Sequence, residues 1–222
     1  MTHEKNDRNV VIQDLIPLSK DYLKKYGLQP LPTSPKEFAI ALSIHAAYLA
    51  ELSIFKEPMQ VAHALAMDPV FKVQLYKSLT LIVAYNIQLS HLIGMDITTL
   101  IEKKLEKTTK KYPPVLPPTT IFSGKNDLTS HLQELKDLCR KFRDDRNWAQ
   151  FHNPKDLSIG VVEETAELLE LFAMKTDAEF AILMQQDASF KEHVHEEIGD
   201  IFLYPFHCAN ICHLDFTREM TQ

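Results

Sequence analysis

Glycine is the first shortage. The chain has 222 residues and five glycines, where ordinary usage would give about 15. Glycine supplies the positive-φ turns of hairpins and the close backbone approaches of phosphate loops. A β-sandwich, a dinucleotide-binding sheet or a P-loop enzyme is hard to build with so few, and neither GxGxxG nor GxxxxGK[ST] occurs. Cysteine is equally sparse. Cys139, Cys208 and Cys212 suit reduced thiols better than a disulfide framework. No run of 18 apolar residues is present, so no transmembrane helix is expected. The polar start MTHEKNDRNVV lacks the apolar stretch of a secretory signal, which makes a cytoplasmic address the expectation. Long Lys/Arg runs are missing too, and the net charge is −6. That balance argues against a general nucleic-acid or membrane binder.

Apolar residues make up 45% of the chain, enough for a buried core, so a disordered chain is excluded. The chain also repeats itself. A shift of 119 residues lays 34–101 over 153–220 without a gap, with 16 of 68 positions identical. SPKEFAIALSIHAAYLAELSIFK lies over NPKDLSIGVVEETAELLELFAMK, and DPVFK over DASFK. Tyr85 falls on Tyr204, and Asp96 on Asp215. This pattern predicts a tandem duplication.

Both copies open with a helix start. Ser34-Pro35-Lys36-Glu37 and Asn153-Pro154-Lys155-Asp156 each place a capping side chain before a proline that has no N–H to waste. Apolar residues then recur every three or four positions, at Ile40, Ala47, Leu49 and Leu52 and at Ile159, Val162, Ala166 and Leu169. Long second helices are expected over 68–93 and 187–213, the latter kinked after Tyr204 by Pro205. A further helix is expected over Ile97–Lys111, and others precede each copy at 8–26 and 127–146. The predicted fold is all-α, with two helical units packed face to face around a four-helix-bundle type core. One unit covers 1–112 and the other 127–222. Residues 113–126, within the proline-rich stretch YPPVLPPTTIFSGKN, form a semi-rigid linker between them.

The copies differ most in their acids. Glu164 with Glu167, and Glu197 with Asp200, are i,i+3 pairs on the two long helices of the second copy, each in an apolar stretch. Like charges so placed repel, and a divalent cation that prefers oxygen ligands relieves them directly. The first copy has His45, Tyr48, Ser78 and Leu81 at those positions, so the acids vanish as a set. Glu163, Glu170 and Glu196 read as solvated helix surface. A ferritin-like dinuclear site needs Glu-x-x-His from two helices, and only Glu192 with His195 provides it.

ExxE followed about 29 residues later by ExxD, on two helices of an all-α unit, resembles the MazG-like NTP pyrophosphatases. The likeness is to the dCTP-pyrophosphatase branch: RNWAQFHNPKDL at 146–157, ELLELFAMK and EEIGDIFLY are similar to its segments. It covers 134–215. The first copy resembles the same domain in degenerate form, and its MDITTLIEKKLEKTTKKYP looks like the family's closing K…N…YP stretch, with Thr108 in place of Asn.

The resemblance implies hydrolysis of a deoxynucleoside triphosphate, dCTP-like or modified, to monophosphate and pyrophosphate, as nucleotide-pool sanitation. It implies that Glu164, Glu167, Glu197 and Asp200 hold Mg²⁺, with Mn²⁺ a substitute, and that one of the glutamates activates water. Trp148, His152 and Tyr204 would form the base and sugar pocket, with Lys175 near the phosphates. Two departures stand out. Met174 replaces a tryptophan, and the closing basic stretch is found only in the first copy, at Lys104, Lys110, Lys111 and Tyr112. Since the family builds its sites at subunit interfaces, a composite site is expected, with acids from 153–204 and phosphate contacts from Lys104, Lys111 and Tyr112. The family analogy also suggests a homodimer of such chains.

Rival readings remain. A dUTP- or dUDP-type hydrolase uses similar acid pairs, and a catalytically weak nucleotide-binding regulatory protein would fit the departures. HCANICH at 207–213 invites zinc, although Cys208 and Cys212 fall on core positions of the first copy. His193 and His195 read as surface or as neighbours of the site rather than ligands. The net charge hides a division: 1–119 carry 14 basic and 11 acidic residues, whereas 120–222 carry 10 and 19. A single site shared between unequal halves would need that asymmetry.

Overall fold

A computed structural model describes residues 4–26 and 30–222. Ten α-helices follow one another among them: α1 Leu15–Lys25, α2 Pro35–Glu51, α3 Pro58–Met67, α4 Pro69–Leu92, α5 Ile97–Lys111, α6 Leu132–Asp144, α7 Pro154–Phe172, α8 Asp177–Gln186, α9 Ala188–Cys212 and α10 Phe216–Thr221. Short 3-10 turns at Ile12–Asp14 and Trp148–Phe151 precede α1 and α7. The only extended pairing among the described residues is an isolated bridge between Val11 and His131. The fold is all-α, as expected. No single described helix is long and apolar enough to cross a membrane.

Each helix starts where its cap dictates. Ser34 accepts from the N–H of Glu37 and Asn153 from that of Asp156, both before a proline. Glu57 and Thr176 form capping boxes for α3 and α8. Asp68 and Asp187 cap α4 and α9, and Asp96 and Asp215 cap α5 and α10. These cap pairs all stand 119 residues apart, as do the positive-φ residues Phe55 and Met174, and Gly94 and His213. The short helices α3 and α8 were not expected from apolar periodicity, and the proline and capping boxes that start them are the signal that reveals them.

Helices α2, α4, α7 and α9 pack in a ring, α2 on α4 and α7, and α9 on α7 and α4. Helix α4 runs through the middle, with every residue from Leu79 to Ser90 buried. Its buried amides reach across the core: Gln88 donates to Ile16 O and Ser19 Oγ, and Asn86 donates to Ile198 O on α9, while Asn86 Oδ1 has no partner among the described residues. Cys139, Cys208 and Cys212 are free buried thiols in this packing. Pro205 does not break α9, which continues from Ala188 to Cys212. Its missing N–H leaves the Ile201 carbonyl without its usual partner, and the packed core holds the helix together regardless.

The outer helices cross over. Helix α5 packs on α9 and α6, while α10 packs on α1 and α4. Buried acids fix both crossings. Asp127, just ahead of α6, accepts from the Ile97 and Thr98 N–H groups of α5 and donates its own N–H to Asp96. Asp7, ahead of α1, accepts from Phe216 and Thr217 of α10 and from the Lys136 ammonium, and its N–H reaches Asp215. The proline-rich stretch is no free tether. Thr119 and Thr120 bind the buried Asp145 carboxylate through N–H and hydroxyl, and Ser123 and Gly124 bind Glu102.

Asp127 therefore anchors the start of α5. Asp127→Ala is expected to cost about 1–3 kcal/mol of unfolding free energy, since three charged hydrogen bonds at a buried cap disappear. Asp137→Ala, at a partly exposed site paired with Arg140, should stay within about 0.5 kcal/mol of the unaltered chain. Denaturant titration of both variants checks this.

Candidate active site

Helices α7 and α9 are joined by α8 and face each other with opposed directions, which brings Glu164 beside Glu197 and Asp200. Carboxylate oxygens of these three lie within 4.8 Å of one another. Full ionisation at that spacing costs about 3 kcal/mol per pair at an effective dielectric near 20. The groups respond accordingly. Burial, then the charges of Asp200, Glu197 and Glu167, push the Glu164 carboxyl up to about 8. Burial, Glu167 and Asp200 push Glu197 up to about 7, and Asp200 is also raised, chiefly by burial. Glu197 Oε2 is buried with no hydrogen-bond partner among the described residues. Hard oxygen donors at this spacing, one of them orphaned, suit a divalent cation such as Mg²⁺ or Mn²⁺.

Glu167 stands apart from the trio. It is exposed one turn further along α7, close enough for its charge to raise all three acids. Glu163 and Glu170 are exposed as expected, but Glu196 is not free surface. Its carboxylate pairs with Lys107 of α5, with 18% of its side chain exposed.

Positive charge comes from the other half of the chain. The Lys104 ammonium on α5 forms an ion pair with Asp200, with 18% and 14% of the two side chains exposed. Burial opposes the lysine charge, yet Asp200, Glu196 and Glu197 together hold it above its ordinary value. Lys104, Lys107, Lys110 and Lys111 line one wall of a cleft of about 990 Å³, with Glu164, Glu196 and Asp200 at its base. That volume is at the upper end of small-molecule sites. The corresponding helices of the N-terminal half carry His45, Tyr48, Ser78 and Leu81 around a smaller groove of about 350 Å³.

Aromatic side chains build the rest of the cleft. Trp148 meets Tyr112 edge-on at 5.5 Å and Phe142 at 6.1 Å. Arg146 clamps them: its guanidinium lies 3.4 Å over the Phe142 ring and donates to Tyr112 O, Phe142 O and Thr109 Oγ1. Tyr204 lies against Gly160, where an added Cβ would fall 2.3 Å from its ring. Only glycine lets that ring sit flat on α7. Burial and the Glu164 charge push its hydroxyl up. His152 completes the wall with His207, one turn beyond Tyr204 on α9.

The cleft gathers Trp148, His152, Tyr204, Lys104, Lys111 and Tyr112. Lys175 is not among its lining residues. It follows Met174 beyond the C-terminal end of α7, about 16 Å along the axis from Glu164, with its ammonium 5.8 Å from the Phe190 ring. Met174 is fully exposed. Arg146, Lys107 and His207 were not expected at the site. Lys107 follows Lys104, and His207 follows Tyr204, at i+3 on one helix face, which is the signal that would have found them.

The geometry thus defines an all-α chain with an acid cluster, a lysine wall and an aromatic chamber in one nucleotide-sized cleft. The chain has partial relatives among known proteins. The chain is 36% identical over 89 residues to dCTP pyrophosphatase 1 of Rattus norvegicus, covering 40% of this chain and 52% of that protein. The corresponding figures are 36% over 91 residues for the Mus musculus protein of the same name, covering 40% and 52%. For the Homo sapiens protein they are 36% over 86 residues, covering 38% and 49%. The chain spans about half the length of the curated relatives it matches. No protein-family model matches it, and no solved structure matches it.

Raised carboxyl values set a sign for stability. A carboxyl raised on folding adds stability that is present below its unfolded value near 4.5 and is lost as pH climbs toward 8. Protons and Mg²⁺ compete for the same oxygens. Thermal melts should therefore show a larger Mg²⁺-induced rise in Tm at about pH 8.5 than at about pH 5.5. An equal rise at both values would contradict cation binding by these acids.

Proposed function

We propose that this chain is a nucleoside triphosphate pyrophosphohydrolase that acts on dCTP or a dCTP-like, including modified, nucleotide. The observation that carries the reading is the meeting of the Glu164, Glu197 and Asp200 cluster, through Glu164 and Asp200 in the cleft lining, with lysines from α5. The names of the partial relatives agree with it. The reaction is dNTP + H₂O → dNMP + pyrophosphate: water attacks the α-phosphorus, and the bond to the bridging oxygen of the leaving pyrophosphate breaks.

Glu164, Glu197 and Asp200 would hold Mg²⁺, and Glu167, exposed beside them, is in place to join them. When bound, the cation supplies charge neutralisation on the phosphates. Lys104 and Lys111 contribute fixed positive charge to the non-bridging oxygens as electrons move onto the leaving group. One of the glutamates accepts the proton of the attacking water. Tyr204, Trp148 and Tyr112 enclose the sugar and base and exclude water from that end. Nothing in the cleft assigns Lys175 a phosphate contact.

The reading also treats the chain as two copies of one unit. Caps recur 119 residues apart, and the last helix of each half lies on the other half. On this view the N-terminal copy has lost its acids but kept the basic helix α5, and the site is composite. Exposed apolar side chains at Phe55, Met59, Val70 and Val73 are the surface that a second copy in a homodimer would cover.

Pyrophosphate release from a panel of dNTPs with Mg²⁺ tests the activity. Glu197→Gln should lower kcat by at least about 100-fold. Lys104→Ala should raise KM by about tenfold or more as well as lowering kcat. If Glu197→Gln is silent, the reading falls. If only Lys104→Ala is silent, the hydrolase stands and the composite site does not.

A further inference from the structure

In the wall of the cleft, His152 and His207 meet edge to face, 4.6 Å between ring centroids. His207 is 7% exposed. The Nδ1 atom of each ring is buried and has no hydrogen-bond partner among the described residues, and neither imidazole makes any other side-chain hydrogen bond there. Buried polar atoms are normally satisfied. These two atoms are sealed from the cleft, so the nitrogen of each ring that a ligand can reach is Nε2, which also has no partner among the described residues. The rings are neutral. Burial, then His152 and Arg143, bring His207 down to about 3, and burial with Arg143 lowers His152. The lysines of α5 line the cleft with the acids, so the triphosphate belongs beside them; Arg143, whose charge the two imidazoles feel, is paired with Asp144. The partner of the imidazoles is an uncharged polar edge on a flat ring, set among Trp148, Phe151 and Tyr204.

A neutral imidazole carries one N–H donor and one bare nitrogen acceptor, and the tautomer is fixed by whatever binds the second nitrogen. Here nothing fixes it. Cytosine presents a 4-amino donor beside the N3 acceptor, and uracil a 4-oxo acceptor beside the N3–H donor. A tautomer-free imidazole accepts from the 4-amino group or donates to the 4-oxo group by moving its own proton, so the 4-substituent of either base is paired. We propose that His207, supported by His152, reads the base edge, and that the substrate class is pyrimidine nucleoside triphosphates with either a 4-amino or a 4-oxo group. The inference rests on the pyrimidine-nucleotide reading above and extends it from dCTP-like substrates to both kinds. A site with fixed donors rejects the mismatched base by about 10⁴-fold or more. This one should separate dCTP from dUTP by less than about tenfold in kcat/KM.

Two measurements on the full-length chain test it. Pyrophosphate-release kinetics give kcat/KM for dCTP and dUTP, in the unaltered chain and in His207→Phe, which keeps a ring but removes both nitrogens. The variant should raise KM for both nucleotides by about tenfold or more, with a smaller fall in kcat. Nitrogen-15 NMR of the imidazoles in the unaltered chain, with dCMP and then with dUMP, should show His207 in opposite tautomers, a signal that a merely structural histidine would not give and that does not depend on the variant folding. A preference above about 100-fold, or one tautomer in both complexes, overturns the inference while leaving the hydrolase in place. Opposite tautomers without release of pyrophosphate from any dNTP would uphold it and remove the hydrolase reading instead.

Discussion

The ion pair between Lys104 and Asp200 is the interaction on which the rest of the site depends. Glu164, Glu197 and Asp200 sit within 4.8 Å of one another on two helices of the C-terminal half, and their mutual repulsion has to be offset. The nearest offsetting charge belongs to α5, whose sequence lies some 60 residues upstream of the first of these acids. A lysine delivered across the molecule has to arrive in register. The capping of α5 by Asp96 and Asp127, the Arg146 clamp on Thr109 and Tyr112, and the docking of 119–124 on Asp145 and Glu102 all act to that end. They give three buried acids a role in aiming α5, Asp127 at its start, Glu102 along it and Asp145 on the segment that follows it.

The cleft joins two kinds of lining. Carboxylates pair with lysines, Asp200 with Lys104 and Glu196 with Lys107, where negative charge and a cation can be balanced. Imidazoles and aromatic rings make up much of the rest, with the Lys111 ammonium 5.1 Å from the Tyr112 ring. The division of formal charge between the halves of the sequence follows from this arrangement: the N-terminal 119 residues provide a surplus of bases and the remainder a surplus of acids. What looks like a mild overall acidity is the sum of two complementary parts.

Much of this was legible from residues alone. Helix starts were readable because serine, asparagine or aspartate before proline has one mechanical meaning, and Ile97–Lys111 follows from Asp96 at its cap. Four acids were expected, as the i,i+3 pairs Glu164 with Glu167 and Glu197 with Asp200, because carboxylates so spaced in an apolar stretch repel one another at a cost that a bound cation removes; three of them meet, and Glu167 stands exposed beside them. Lys175 follows the left-handed turn at Met174, and the cleft lining does not include it. Glu196 misled because its partner, Lys107, comes from 89 residues away and no local pattern announces it. His207 was hidden inside a stretch whose spacing suggested zinc or plain core. Its significance lies in a missing partner, which only three dimensions reveal.

Anomalous scattering from crystals grown with Mn²⁺ and a non-hydrolysable deoxynucleoside triphosphate analogue would test the central claim directly. A site shared between the two halves predicts manganese bound by Glu164, Glu197 and Asp200, with phosphate oxygens reaching Lys104 or Lys111 of the same chain. Manganese elsewhere, or phosphates that bypass α5, would contradict it.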